Sequence, residues 1–190
     1  SLDREMTSPE GDYFGVSDGA KPFRVMYATW STKRISQTVP FPNAVNTLKL
    51  ELRLSIDLEA SDQSAITVQG MIGATVADAE VPVTVLRNGL VIQKPFFCIT
   101  DDDGNSKGSW DMRQRDLTLT LCEGMRFEAI AQYQILFEVM NPDLPQSSPS
   151  ISIEASGTVE YISEALKRPS QVSGIETDLF GVADAADALF

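Results

Sequence analysis

The residues best suited to ion chemistry form the acidic run Asp101-Asp102-Asp103-Gly104-Asn105. Carboxylate and amide oxygens at alternate positions suit a calcium loop of the EF-hand type, which also needs Gly at position 6 and Glu at position 12. Counted from Asp101, those positions hold Ser106 and Met112, so the EF-hand pattern fails. The pattern favours a turn in which these side chains bond to nearby backbone, and an irregular calcium site shared with another loop is the alternative. We predict no metal and no cofactor.

Catalysis by paired carboxylates is a second possibility, because glycosidases set two carboxyl groups across a sugar-binding cleft. Asp57 and Glu59 are close in sequence and share the polar face of a predicted strand, where a solvated pair is the ordinary outcome. The chain has no histidine. It therefore has no Ser-His-Asp triad, no Cys-His dyad and no histidine-ligated metal. We predict that the protein is not an enzyme.

A tryptophan beside arginines forms the candidate partner-binding site. Trp110 follows Gly108-Ser109 and precedes Arg113 and Arg115, in what the pattern predicts to be a long connection between strands. This composition is typical of an interface hot spot. The alternative, given equal weight, is that Trp110 folds back onto the domain as an anchor. The candidate partner-binding residues are Trp110, Arg113, Arg115, Asp101, Asp102 and Asp103.

Two cysteines, Cys98 and Cys122, each end an apolar run. Two buried free thiols are one interpretation. The other, which we favour, is a disulfide between neighbouring or facing strands, which would stabilise the fold by about 3 kcal/mol on a chain-entropy basis.

The charge balance excludes several classes of partner. Fifteen Lys and Arg oppose 27 Asp and Glu, for a net charge of −12. Nucleic-acid binding needs clustered cations, and anionic membranes attract basic segments, so both are disfavoured. No apolar run reaches the roughly 18 residues of a membrane span. We predict no nucleic-acid partner and no direct membrane insertion.

The strand signal is period two. Leu48, Leu50, Leu52, Leu54, Ile56 and Leu58 alternate with polar residues, which predicts a strand with one buried face. Asn88-Gly89 predicts a hairpin turn, and 127–140 is long enough for one strand to need a bend near 131–134. Further short strands are predicted at 23–29, 64–70, 81–87, 90–93, 96–100, 117–122, 150–156 and 158–162.

This spacing predicts an all-β fold, an antiparallel β-sandwich of the jelly-roll type. We divide the chain into an irregular N-terminal segment (1–22), the sandwich domain (23–163) and an acidic flexible tail (164–190). Ser1-Leu2-Asp3 is a plausible start of a processed protein.

An acidic sandwich of this kind resembles galectins, but the galactose-reading motifs are absent. Galectins carry His-x-Asn-Pro-x-Arg and Trp-Gly-x-Glu, whereas Asn141-Pro142 here is followed by Asp143 and Leu144. Neither Trp30 nor Trp110 is followed by Gly. No galactose binding is expected.

The combination of a galectin-like sandwich over 23–162, a cysteine pair, the Ser1-Leu2-Asp3 start and a low-complexity tail is similar to the microneme accessory proteins of apicomplexan parasites. The resemblance implies a non-enzymatic module that binds a thrombospondin-repeat adhesin. It also implies secretory-pathway trafficking to micronemes and then action at the cell surface in host-cell adhesion and invasion. Thrombospondin repeats expose Arg-rich faces, which an acidic partner would suit. The main alternative is a carbohydrate-binding sandwich with a non-galectin sugar site, and a carboxylate-pair glycosidase is the least favoured.

Overall fold

The fold consists of short antiparallel strands. The computed structural model describes residues 28–60, 64–92, 95–157, 159–180 and 182–189. The predicted irregular segment 1–22 and most of the predicted strand 23–29 lie outside these residues. The described part contains thirteen strands and one short 3-10 helix, Pro169–Gln171. The strands are β1 (Trp30–Gln37), β2 (Val45–Leu54), β3 (Leu58–Glu59), β4 (Ala65–Gln69), β5 (Glu80–Arg87), β6 (Leu90–Val91), β7 (Ile99–Thr100), β8 (Ser106–Asp111), β9 (Asp116–Thr120), β10 (Arg126–Phe127), β11 (Tyr133–Met140), β12 (Ser152–Ser156) and β13 (Tyr161–Ala165).

The strand order explains how two layers share one core. The main sheet runs β1-β2-β11-β5-β8-β9-β4-β12-β13, with β6 beside β5 and β7 beside β8, and β3 pairs separately with β10. Residues 83–87 of β5 pair with β11, whereas residues 80–82 pair with β8, so β5 passes from one layer to the other. The antiparallel β-sandwich class predicted from sequence is confirmed.

The alternation in β2 places its leucines in the core as predicted. Leu48, Leu50, Leu52 and Leu54 are all fully buried. The alternation does not continue as one strand, however. The strand ends at Leu54, and Leu58 belongs to β3, which pairs with β10. Ser55 causes part of this break, because its hydroxyl accepts a hydrogen bond from the Thr29 amide at 2.9 Å.

The predicted hairpin turn is confirmed, whereas the predicted bend within one long strand is a break between two strands. Asn88 (φ 50°) and Gly89 (φ 82°) both have the positive φ that a type I′ hairpin requires, and Arg87 pairs with Leu90 across them. The long run 127–140 is interrupted before Tyr133, where Ile130 has a φ of 69°. The chain thus forms β10 and β11 rather than one strand.

The expected flexible tail is corrected for its last described residues. Ala185, Ala186, Asp187, Ala188 and Leu189 are all buried. The acidic residues that suggested a solvated tail, Glu176, Asp178 and Asp184, lie in the exposed stretch before them. The small apolar side chains of 185–189 instead allow close packing against the end of β1.

No helix in the described ranges is long and apolar enough to cross a membrane.

Candidate functional site

A surface cavity of about 460 Å³ forms a groove on the outer face of β2, β11 and β5. Alternation along β11 points Ile135, Phe137 and Val139 into the core, which leaves Leu136 and Glu138 on the outer face. The register of β11 with β2 and β5 then determines which residues lie beside these two. Leu136 pairs with Thr84 of β5, and Glu138 pairs with Thr47 of β2. We call this cavity the outer groove.

One wall of the outer groove is the turn 101–105, which contains part of the predicted site. The Asp101 carboxylate accepts hydrogen bonds from the Asn105 amide at 2.8 Å and the Asp103 amide at 3.0 Å, and Asn105 Nδ2 donates to it at 3.0 Å. The side chain and backbone amide of Asn105 hold the pKa of Asp101 below its usual range. The turn interpretation is therefore confirmed, and Asp101 stays ionised.

Buried contacts fix this wall to the core. The Ser106 hydroxyl accepts hydrogen bonds from the amides of Phe96 (2.8 Å) and Phe97 (3.1 Å). The Phe96 ring packs edge-on against Phe127, with the centroids 4.9 Å apart. The wall is thus held by core packing, which preorganises the groove.

The outer groove has a negatively charged lining, although the Lys107 amine is near enough to contribute to the lowered pKa of Asp101. Its described lining includes two carboxylates, Asp101 and Glu138, and no Lys or Arg. Neither carboxylate forms an ion pair with a described cation, whereas nearby Glu80 lies 3.2 Å from the Lys107 amine. A second depression shares Pro82 and Glu138 with the groove and extends it to Asp78 and Glu80. The groove and this depression therefore form one continuous surface along β5 and β11, which is partly apolar and has an acidic rim.

Trp110 does not lie in an exposed loop, so that expectation is wrong. It belongs to β8, pairs with Leu117 of β9 and is only 3% exposed. The inward-facing residues two and four positions before Trp110 are Gly108 and Ser106. Because both are small, the sequence of this strand does not show the alternation of large apolar and polar residues that predicts a strand. The structure thus has Trp110 as an anchor in the core, the alternative given equal weight above.

The other candidate residues are divided between the two ends of β8. Asp101, Asp102 and Asp103 precede the strand, whereas Arg113 and Arg115 lie in the turn after it. That turn is organised by Asp111, whose carboxylate accepts hydrogen bonds from the amides of Arg113 (2.7 Å) and Gln114 (2.9 Å). A six-residue strand separates the two groups by about 17–20 Å. They therefore do not form one site, and of these residues only Asp101 lines the outer groove.

The two cysteines lie beside each other as free thiols. Phe97 and Leu121 form an antiparallel bridge and point into the core, so Cys98 and Cys122 flank them on the opposite face. Cys98 Sγ donates to the Leu121 carbonyl at 3.2 Å. Burial raises the pKa of Cys122 to about 11, with smaller contributions from its side-chain hydrogen bond to Cys98 and from the charge of Cys98. The disulfide stays a prediction.

Of the remaining carboxylates considered for chemistry, Asp57 has a structural contact. Asp57 Oδ1 accepts a hydrogen bond from the Ala129 amide at 2.6 Å, which ties β3 to the chain before β11. Among the described residues, no group of three or more Cys, Asp or Glu side chains could hold a metal ion.

Comparison with known proteins gives structural likenesses only. No protein-family model matches the chain, and no curated protein matches it in sequence. Among solved structures, it is similar to the N-terminal domain of the Streptococcus gordonii adhesin Sgo0707, with 9% identity and a TM-score of 0.45 over 72% of this chain and 31% of that one. It is also similar to the collagen-binding domain of a Staphylococcus aureus adhesin (10%, TM-score 0.39, covering 70% and 93%). A third likeness is to the S. aureus collagen adhesin (13%, TM-score 0.41, covering 77% and 48%).

Proposed function

We propose that this domain is a non-enzymatic protein-binding module that takes a basic, extended segment of its partner into the outer groove. The observation that carries the proposal is that the described lining of the groove has two carboxylates, Asp101 and Glu138, beside several apolar side chains and no Lys or Arg. A partner that presents Lys or Arg beside an aliphatic side chain would satisfy both features. One of the similar solved structures is named as collagen-binding, whereas the proposal for this chain depends on its own groove.

The charge of the whole chain supports the same partner class. A net charge of −12 raises the encounter rate with a basic surface and disfavours acidic ones. The finer proposal names a thrombospondin-repeat adhesin as the partner, together with trafficking through the secretory pathway to micronemes and the cell surface. It comes from the family resemblance and extends the proposal above.

The test measures binding to a thrombospondin-repeat ectodomain by surface plasmon resonance, with a glycan array in parallel. Glu138→Gln keeps the shape of the side chain and removes its charge. Exposed charge pairs contribute about 0.2–1 kcal/mol, so we expect up to about fivefold weaker binding at low salt, mainly through slower association. The matched control is Glu123→Gln, which removes an equal charge from an exposed side chain outside the groove lining.

Thr84→Arg tests the groove itself, because it puts a long cation at a lining position on β5. We expect at least tenfold weaker binding with an unchanged melting temperature. Equal binding by wild type, Glu138→Gln and Thr84→Arg would reject the groove as the site. Binding of sugars without any affinity for the protein partner would favour the carbohydrate-binding alternative.

A further inference from the structure

A cluster of basic side chains lies around β1, in a chain that is acidic as a whole. The register places Arg53 of β2 beside Thr32 and Glu51 beside Arg34, on the face opposite the buried leucines. On the other side of β1, Arg34 forms a parallel bridge with Lys167. Bridged residues of neighbouring strands project from the same face, and the Lys167 side chain is exposed in agreement with this. Cations from three segments therefore meet on the outer face of β1.

The carboxylates beside this cluster compensate only part of its charge. The cluster has five cations: Lys33, Arg34, Lys49, Arg53 and Lys167. One carboxylate, Glu51, serves two of them, at 2.8 Å from Arg34 Nη2 and 3.2 Å from Lys49 Nζ. A second carboxylate, Glu164, pairs with Lys33. Five positive charges against two negative ones leave a local excess of three positive charges.

Several donors of the cluster have no acceptor in the part of the chain that the structure describes. Arg53 and Lys167 form no ion pair there. Of the Arg34 guanidinium only Nη2 contacts a described carboxylate, and its Nε is buried without a hydrogen-bond partner. The Thr32 hydroxyl makes no hydrogen bond with a described residue. The cluster thus keeps hydrogen-bonding capacity for a ligand that supplies acceptors.

A cleft of about 250 Å³ between the first half of β1 and the segment 167–172 brings these donors together. Its described lining includes Thr32, Lys33, Arg34 and Lys167 and no carboxylate. The Ile35 amide donates to the Lys167 carbonyl at 3.1 Å, and the Lys167 amide donates to the Lys33 carbonyl at 3.0 Å. These backbone bonds hold Lys167 beside Arg34 without using either cationic group. We call this cleft the basic cleft.

The net charge of −12 does not decide the potential inside the basic cleft. Charges farther apart than a Debye length of about 8 Å are largely screened at physiological salt. Glu138 of the outer groove lies four residues along and two strands across from Arg34, which corresponds to roughly 16 Å. The local excess of positive charge therefore dominates at the cleft.

We propose that the basic cleft binds one phosphate or sulfate group, either as the free ion or as an ester on a larger ligand. The Arg34 guanidinium and the Lys167 ammonium donate charge-assisted hydrogen bonds to its oxygens, and the Thr32 hydroxyl is a third donor. Such a group has at least three acceptor oxygens, which suits donors that approach from β1 and from the segment 167–172. The site shares no residue with the outer groove, so it is independent of the partner proposed there.

The test is a titration of the ¹⁵N-labelled whole chain with inorganic phosphate and, separately, with sulfate at pH 7.5. Sodium chloride keeps the ionic strength constant, so that general screening does not contribute. We expect saturable shifts of the amide signals of residues 31–34 and 167. Saturation by either anion supports the proposal, and the anion that binds more tightly identifies whether the group is a phosphate or a sulfate. Shifts that do not saturate, or that spread evenly over the chain, would overturn it.

Lys167→Gln removes an exposed cation and leaves the backbone bonds of the segment in place. We expect it to weaken binding of the anion by about fivefold. Thr32→Val keeps the shape of the side chain, removes the hydroxyl and should weaken binding in the same direction. The matched control is Arg113→Gln, which removes an equal charge from an exposed turn residue outside the cleft lining. Equal melting temperatures show that the variants are folded, and equal anion affinities of Lys167→Gln and Arg113→Gln would overturn the proposal.

Discussion

Truncation of Glu51 to alanine should be among the most damaging changes on the outer face of β2. Its carboxylate lies 2.8 Å from Arg34 Nη2 and 3.2 Å from Lys49 Nζ, and Gln134 Nε2 donates to it at 3.2 Å. The side chain is only 13% exposed. From sequence alone, Glu51 is one more polar residue on a solvated strand face and equivalent to Arg53. The structure makes it the shared acceptor of three donors on three strands.

The cost can be estimated from what the truncation leaves behind. Arg34 is 26% exposed and would lose its carboxylate while remaining next to Lys49. A charged hydrogen bond contributes about 1.5–3 kcal/mol when buried, and an exposed ion pair contributes about 0.2–1 kcal/mol. For a half-buried cluster we expect a loss of about 2 kcal/mol in the free energy of unfolding. For a domain of this size that corresponds to a fall in Tm of roughly 4–8 °C.

The assay is urea denaturation followed by tryptophan fluorescence, with Arg53→Ala as the matched control on the same strand. Arg53 is exposed on the same strand, so its truncation should cost less than about 0.5 kcal/mol. Glu51→Gln keeps an acceptor oxygen and should fall between the two. Equal losses for Glu51→Ala and Arg53→Ala would refute the claim that the carboxylate organises this face.

Three further predictions follow from the core and the cysteines. Leu52→Ala removes a fully buried side chain and should lower the free energy of unfolding by about 2–5 kcal/mol in the same denaturation series. A loss as small as that of Arg53→Ala would contradict the strand assignment. Gly108→Ala would place a Cβ 2.6 Å from side-chain atoms of Leu117 and Leu119, so a loss of about 1–3 kcal/mol is expected by thermal melting, and an unchanged melt would show that β8 lies elsewhere. At pH 8 the raised pKa of Cys122 leaves its thiol almost wholly protonated. Iodoacetamide should therefore label the reduced protein faster at Cys98, as measured by peptide mass spectrometry. Equal labelling rates at the two cysteines would contradict the environment described for Cys122. Intact mass before and after reduction tests the predicted disulfide, which removes two hydrogens.

The fold class could be predicted from sequence because one face of each long strand is uniformly apolar. In β2 and β11 every second residue is Leu, Ile, Val or an aromatic over much of the strand, and burial follows that pattern. Strand β8 was not predicted, because two of its three inward-facing residues are Ser106 and Gly108 rather than large apolar residues. Gly108 lies close to the leucines of β9. The same strand carried Trp110, so one missed strand also produced the wrong placement of the expected interface residue.

The buried segment 185–189, which docks at the end of β1, could not be predicted for a different reason. Its alanines have no periodic pattern, and the acidic residues before them suggest a solvated segment. Its position depends on Gln37, Ser148 and Ser170, which are distant in sequence and become neighbours only after the sheet has formed. Composition describes the average environment of a segment, whereas docking of this kind depends on a few matched hydrogen bonds.

The outer groove depends on register in the same way. Thr47, Thr84 and Glu138 come from three strands, and each one alone is an ordinary outward residue. They meet because Leu136 pairs with Thr84 and Glu138 with Thr47. A one-residue slip of β11 would turn Glu138 into the core and Phe137 outward, which the apolar inner face does not tolerate. The requirement to bury Ile135, Phe137 and Val139 therefore fixes the position of the groove carboxylate. Substitutions that test binding can be confined to the outward residues, where they leave the core unchanged.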